Sequence, residues 1–375
     1  MADSNKSRVK FDRGNLDFQQ TLRKRVDEYF TNNNIGKHAN GQMVFKTILI
    51  ICMVIGSYSV LISNTLPLYG LFIVACVLGF SCAMVGLNIG HDAIHGSYST
   101  KPKVNKALGL MFNFMGANDY MWAISHNVVH HTYTNIPEFD ADIDQVPVLR
   151  YQPDQDLWKV HKFQYIYAFL LYTFTSLSWV MMKDYVFFMK KNIGGYIKTS
   201  HPTKEWIRLI VYKLIYYTTF IAIPIMVMNV PAYMVILLFV TSHVVFGFTL
   251  AIVFQMAHLV DGIDFPKPSE KGEIKNSWLE HQLYTTANFS NKKILPNYLF
   301  GGLNFQIEHH LFPNICHVHY TKIAPIVKQT ALEFGLPYLE YENMTSVIGS
   351  HIKLLKKLGT QKDYTTSLQP AAVAA

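Results

Sequence analysis

PLYGLFIVACVLGFSCAMVGLNIGHDAIH, residues 67–95, runs from Pro67 to Gly90 without a charged side chain and then ends on two histidines four positions apart. Crossing a hydrocarbon core of about 30 Å takes about 20 helical residues. At 1.5 Å per residue the stretch from Pro67 to His95 makes roughly 40 Å of helix, enough to cross and to project beyond. The design recurs: the chain from Pro231 to His258 is again apolar, of similar length, and again ends on a histidine.

Outward from these two stretches, the composition supports an integral membrane protein. Half of the 375 residues are hydrophobic and 15% are charged, against about 25% in ordinary soluble domains. Long apolar runs fall at roughly 44–63, 68–90, 163–182, 207–229 and 232–257. The breaks Ser63–Pro67 and Asn229–Pro231 are short, contain proline and lack Lys and Arg, as tight hairpin turns would. Basic residues crowd the segment before residue 47 and recur at Lys183, Lys190, Lys191, Lys198, Lys204 and Arg208. Because positive residues stay on the cytoplasmic side, both turns are expected outside and both termini inside. A fifth crossing at 163–182 would invert the last hairpin, so that aromatic-rich run is expected to lie in the interface or against the bundle.

The expected architecture is therefore all-α and integral to the membrane: four transmembrane helices in two hairpins, an interfacial helix, and a helical cytoplasmic cap holding a metal site. Its parts are an N-terminal segment (1–43), a first hairpin (44–95), a cap portion with the interfacial helix (96–206), a second hairpin (207–258), a second cap portion (259–362) and a disordered tail (363–375). The polar N-terminus has no signal-peptide core. The four cysteines, Cys52, Cys76, Cys82 and Cys316, form no CxxC pair. The net charge of +8 fits a basic cytoplasmic face better than nucleic-acid binding. It also suits anionic lipid headgroups or a phosphate-bearing substrate.

Three histidine clusters stand out: His91-Asp-Ala-Ile-His95, His126-Asn-Val-Val-His130-His131 and Gln306-Ile-Glu-His309-His310. Residues i and i+4 share a helix face, so His91 with His95, and His126 with His130, are each expected to turn two imidazoles to one centre. Each doubled histidine is offset by about 100°, so it can serve two neighbouring ions. A single histidine is by default a packing or surface residue. Here seven sit in clusters, and His258 ends the fourth span at the depth where the first cluster ends the second, which makes it the preferred extra ligand.

Imidazoles suit iron, copper, zinc or nickel, and the spacing does not choose among them. The paired Glu-x-x-His motifs of carboxylate di-iron bundles are absent, so a nitrogen-rich, oxygen-activating di-iron centre is expected. Gln306 could bind metal weakly, directly or through water. Asp92, Glu308, Asp140, Asp142 and Asp144 could orient ligands from outside, and His281 could be a ligand or such a partner. His243 reads as a hydrogen-bonded histidine inside the membrane, and His317 and His319 as lining the cap. His38, His161, His201 and His351 read as surface residues.

In this order, with the first at the end of a long apolar hairpin, the three boxes resemble the membrane-bound fatty acid desaturases. Gln306 at the head of the third box, within Gly301-Gly-Leu-Asn-Phe-Gln-Ile-Glu-His-His-Leu-Phe-Pro313, resembles the linoleoyl-CoA or front-end, delta-6-like, branch. The resemblance implies that His91, His95, His126, His130, His131, His258, His309 and His310 hold two iron ions. It implies reduction of O2 to two waters as a cis double bond forms in a long-chain acyl group carried on CoA, a carrier protein or a lipid.

Many members of that branch carry a fused cytochrome b5 with a His-Pro-Gly-Gly motif, which this sequence lacks. A separate electron donor such as ferredoxin or cytochrome b5 is therefore expected. An acyl chain offers few polar handles, so a narrow apolar tunnel should position it; Trp122, Trp278, Phe305 and Thr285 are candidates to line it. The nearest rival reaction is hydroxylation by a related di-iron enzyme, separable by its product. A metal transporter would spread histidines and carboxylates through the spans, where only His243 lies deep.

Overall fold

The computed structural model describes residues 9–143, 147–197, 200–362 and 364. Asp144 and nearly all of the 363–375 tail lie outside the described residues. The chain is mostly helical. A first helix, α1 (Leu16–Asn32), precedes four helices long and apolar enough to cross a membrane: α2 (Gly41–Ile62), α3 (Leu68–Ile94), α6 (Thr203–Val227) and α7 (Ala232–His258). Proline begins both hairpin return arms: Pro67 precedes α3 and Pro231 precedes α7, each in extended backbone. α3 and α7 have 27 residues each, and so bring His91 and His258 to matching ends.

Between the hairpins, the fifth apolar run folds as two helices, α4 (Lys159–Tyr172) and α5 (Thr175–Met189), bent by 69° at the break. Each arm is shorter than the roughly 20 residues a crossing needs. Asp184 of α5 is buried and pairs with buried Lys213 of α6 at 2.8 Å. Lys213 also donates to the carbonyls of Gly116 at 2.6 Å and Val180 at 2.8 Å. With three oxygen acceptors around it, a lysine in an apolar span is no longer an uncompensated buried charge. Deeper along α7, His243 bonds Ser176 Oγ through Nδ1 at 2.9 Å and Tyr216 Oη through Nε2 at 2.7 Å, one nitrogen donating and the other accepting, which ties α5, α6 and α7 together.

α3 and α7 pack closely because small residues allow it. A Cβ on Gly79 would overlap the backbone of Ser242, the kind of backbone approach that holds membrane helices together where no hydrophobic force separates helix from lipid. On the other side, α3 packs along α2. These helices, with residues such as Leu78, Val85, Val253 and Met256, form the largest buried core.

The cap has its own core. Phe18, Leu22, Val26 and Phe30 recur at every fourth position of α1, so they form one stripe. That stripe packs against Ile323, Val327 and Ala331 of α8 (Tyr320–Glu333). The last helix, α9 (Met344–Thr360), lies against α4. Buried Arg150 donates to the carbonyls of Leu358 and Gln361 and so satisfies groups that a helix C-terminus leaves open. Three two-residue strand pairs complete the cap; one, Lys10–Phe11 beside Glu273–Ile274, fastens the N-terminal segment to the stretch after α7.

Three of the four histidines read as surface residues are buried. His161 accepts from the Trp158 amide and bonds the Pro147 carbonyl, His201 bonds Tyr120 Oη, and His351 bonds the Leu259 carbonyl and Tyr172 Oη. Their sequence neighbours are polar because they face water: Lys159, Lys162, Thr203, Lys204 and Lys353 are exposed, while the imidazoles turn inward to hydrogen-bond partners. His38 is half-buried, with Nδ1 on the Ser97 carbonyl.

Candidate metal centre

The site begins with two backbone irregularities. Just before His91 the helix widens into a π-turn, Val85–Gly90, and the second box is itself a π-turn, Ala123–His130. The His91 amide bonds the Gly86 carbonyl and the His131 amide bonds the His126 carbonyl, five residues back in each case. An extra residue per turn realigns the face: i and i+5 now coincide. Accordingly, His126 and His131 approach with Nε2 atoms 3.3 Å apart.

In the second box His126 and His130, the i,i+4 pair, stack with ring centres 5.2 Å apart and share one group with Asp142, and each also joins a further group. His126 joins His91, His95 and His309; His130 joins His258 and His310. His131 lies between the groups, with Nε2 3.0 Å from that of His309 and its ring stacked on His310 at 4.2 Å. Eight imidazoles from four separate stretches thus converge.

Three observations fit bound metal. First, both nitrogens of His91, Nε2 of His95 and His310, and Nδ1 of His131 and His258 are buried without a hydrogen-bond partner, an arrangement that costs free energy unless something else is bound. Second, facing nitrogens lie 3.0 to 3.3 Å apart. Two ligands at about 2.1 Å from a shared ion would stand near that spacing. Third, burial pushes the pKa values of His95, His126, His131, His309 and His310 well below the usual imidazole range. These rings are therefore neutral, the form that binds metal.

Outer partners fix several rings. Asp140, fully buried, accepts from His130 Nδ1 at 3.0 Å and from the Asn135 amide at 2.9 Å. Burial opposes protonation of His130, but Asp140 and then Asp142 outweigh it and raise the pKa. Gln282 Oε1 accepts from His310 Nδ1 at 2.8 Å and from Thr134 Oγ1 at 3.0 Å, leaving His310 Nε2 free for an ion. Tyr320 Oη lies 3.4 Å from His309 Nδ1. Neither Gln282 nor Tyr320 was singled out in the sequence; a Gln next to His281 and a lone Tyr carry no spacing signal.

The remaining expected site residues take other places. Gln306 brings its amide to His258 Nε2 at 2.7 Å; either end of an amide has the same shape, so its oxygen can take that position. His281 donates from Nε2 to the Thr134 carbonyl and joins neither group. Asp92 faces His317 at 2.8 Å and the Cys316 thiol at 3.0 Å, and is 3.8 Å from His91 Nδ1. Glu308 bonds Asn288 and Tyr338, and burial pushes its carboxyl up to about 7.

A cavity of about 370 Å³ opens against the first histidine group, lined by His91, His126, Trp122 and largely apolar side chains of α3, α5 and α7. Trp278, Phe305 and Thr285 do not line it. Trp278 Nε1 donates to the His131 carbonyl, Thr285 Oγ1 donates to the His281 carbonyl, and Phe305 belongs to the cap core.

The fatty acid desaturase family matches residues 67–342, which include all eight of these histidines. The chain belongs to the fatty acid desaturase family. It is a fatty acid desaturase, an oxidoreductase, integral to the membrane. Similar proteins span nearly the whole chain. An sn-1 linoleoyl-lipid 6-desaturase of Synechocystis sp. is 30% identical, over 91% of this chain and 95% of its own length. One of the same name from Arthrospira platensis is 32% identical, over 95% and 96%. An acyl-lipid (8-3)-desaturase of Physcomitrium patens is 34% identical, over 93% of this chain and 73% of its own.

For this desaturase, Asp140→Asn is expected to lower metal content and turnover about 10- to 100-fold, the usual worth of an outer partner to a ligating histidine. Metal analysis of the purified variant beside its turnover checks this, and unchanged values for both would remove Asp140 from the site.

Proposed function

We propose that this desaturase uses two iron ions and O2 to place a cis double bond in a long-chain acyl group of a membrane lipid, at a delta-6-like position. The observation that carries the reading is the meeting of eight imidazoles at the wall of an apolar cavity. In one group His91, His95, His126 and His309 would hold the first ion; in the other His130, His258 and His310 would hold the second, with His131 between them and Gln306 beside His258.

Iron bound there would supply the oxidising power to take hydrogen from an unactivated methylene. The balance requires two hydrogens from neighbouring carbons of the chain and two electrons with two protons from a donor, giving a double bond and two waters from O2. The protein's part is positional. Trp122, stacked on His126 at 4.2 Å, and Phe112, tilted against it at 5.0 Å, form an aromatic wall that confines the chain beside the first group. The apolar lining excludes water and with it competing reactions. Asp140, Gln282 and Tyr320 hold their rings against rotation, so the nitrogens stay aimed while substrate enters.

The acyl-lipid carrier and the position rest on the relatives' names, and the carrier alternatives are CoA and carrier protein. Both termini and the site would face the cytoplasm, where a separate donor, ferredoxin or cytochrome b5, could reach them. Expression in a desaturase-deficient host supplied with such a donor, followed by gas chromatography–mass spectrometry of each lipid class, tests this. A new cis bond first seen in intact lipids supports the reading. Hydroxylated chains instead would turn it to the hydroxylase alternative, and a bond first seen in acyl-CoA would overturn the carrier.

A further inference from the structure

A second cavity, of about 880 Å³, shares no lining residue with the acyl cavity and opens where α2 enters the cap. It is lined by Lys46, Lys322, His317, His319, Gln42 and Tyr298 among others, and no Asp or Glu lines it among the described residues. At its floor lies Lys46, only 3% exposed. Its ammonium donates to His317 Nε2 at 3.0 Å and lies 4.8 Å from the centre of the Tyr298 ring. The other His317 nitrogen, Nδ1, meets Asp92 at 2.8 Å, so Nδ1 carries the proton and Nε2 accepts. An ammonium has three donors, and one imidazole uses one of them. Asp92 answers this charge only through His317, so two donors of a buried cation remain for a roomy cavity whose described lining holds no carboxylate, and an anion fits there.

The surroundings say which kind. The mouth adjoins the short helix Ile294–Leu299, where Ile294 is 89% and Leu295 66% exposed, directly after exposed Lys292 and Lys293. Two bare apolar side chains beside two lysines suit the membrane interface, the apolar pair dipping in and the ammoniums reaching out to headgroups. The first turns of α2 also expose Val44, Phe45 and Ile48, an apolar face of the kind a span turns to lipid.

We infer that this cavity binds the phosphate of an anionic phospholipid of the adjoining leaflet, on Lys46 with Lys322 at the rim, as a site separate from that of the reacting chain. The inference needs the membrane placement of α2 but not the desaturation reaction, and its test reads no turnover.

The purified protein would be incorporated into bilayers of phosphatidylcholine mixed with phosphatidylglycerol, extracted, and its retained lipids counted by native mass spectrometry. Phosphatidylglycerol should be enriched on the wild type, and Lys46→Met should reduce that enrichment at least about fivefold, the scale of one lysine's attraction to an anionic surface. Gln42→Glu places a carboxylate in the cavity from an exposed position and should do the same without disturbing the core, which covers the case in which Lys46→Met fails to fold. Equal retention of both lipids by the wild type, or unchanged enrichment in Gln42→Glu, would overturn the site. Displacement of phosphatidylglycerol by inorganic phosphate or coenzyme A would assign the cavity to a soluble phosphate compound and overturn the lipid assignment.

Discussion

His131→Ala should abolish double-bond formation and strip the protein of most of its metal. This imidazole stands between the two histidine groups, 3.3 Å from His126, 3.0 Å from His309 and stacked on His310. Losing an outer partner of a ligand typically costs about 10- to 100-fold, so losing a nitrogen that meets both groups should exceed about 100-fold in activity. Metal analysis with product profiles is the check; a variant that kept two metal ions and near-normal turnover would break the proposed ligand set.

Gly86→Phe should separate chain recognition from metal binding. Gly86 lines the acyl cavity, and a Cβ built there meets only Leu250 Cδ2, at an ordinary 3.6 Å. The backbone therefore tolerates a side chain, while a phenyl ring fills space the acyl chain needs. Overfilling a packed site costs about 1–3 kcal/mol, which is about 5- to 150-fold in occupancy. Long-chain turnover should fall by that factor with metal content unchanged, and shorter acyl chains should suffer less. Equal losses at all chain lengths would mean that the cavity does not measure the chain.

The sequence made the spans legible because an uncharged run from Pro67 to Gly90 admits few alternatives. It made the three boxes legible because doubled histidines are rare by chance. That a doubled histidine can face two centres is read from the offset of neighbouring residues; the approach of His126 to His131 is not. A π-turn is a change in backbone hydrogen bonding with no side-chain signature, so the spacing of His126, His130 and His131 was read on a 3.6-residue helix that is not there. Gln282 and Tyr320 were hidden for another reason: each matters only through a partner 28 or 11 residues away. The burial of His161, His201 and His351 has no signal in their neighbours, which are largely exposed: each ring turns inward to a hydrogen-bond partner 14 or more residues away.

The contributions to the metal centre are ordered in time as well as in space. His91 and His95 emerge from the ribosome with the first hairpin, His126 to His131 soon after, His258 with the last span, and His309 and His310 only when most of the chain has been made. Neither histidine group is complete before that last pair arrives, because His309 belongs to one and His310 to the other. A chain interrupted after α7 would already be threaded through the bilayer, yet with both groups unfinished. Completion of either group therefore waits for nearly the whole chain.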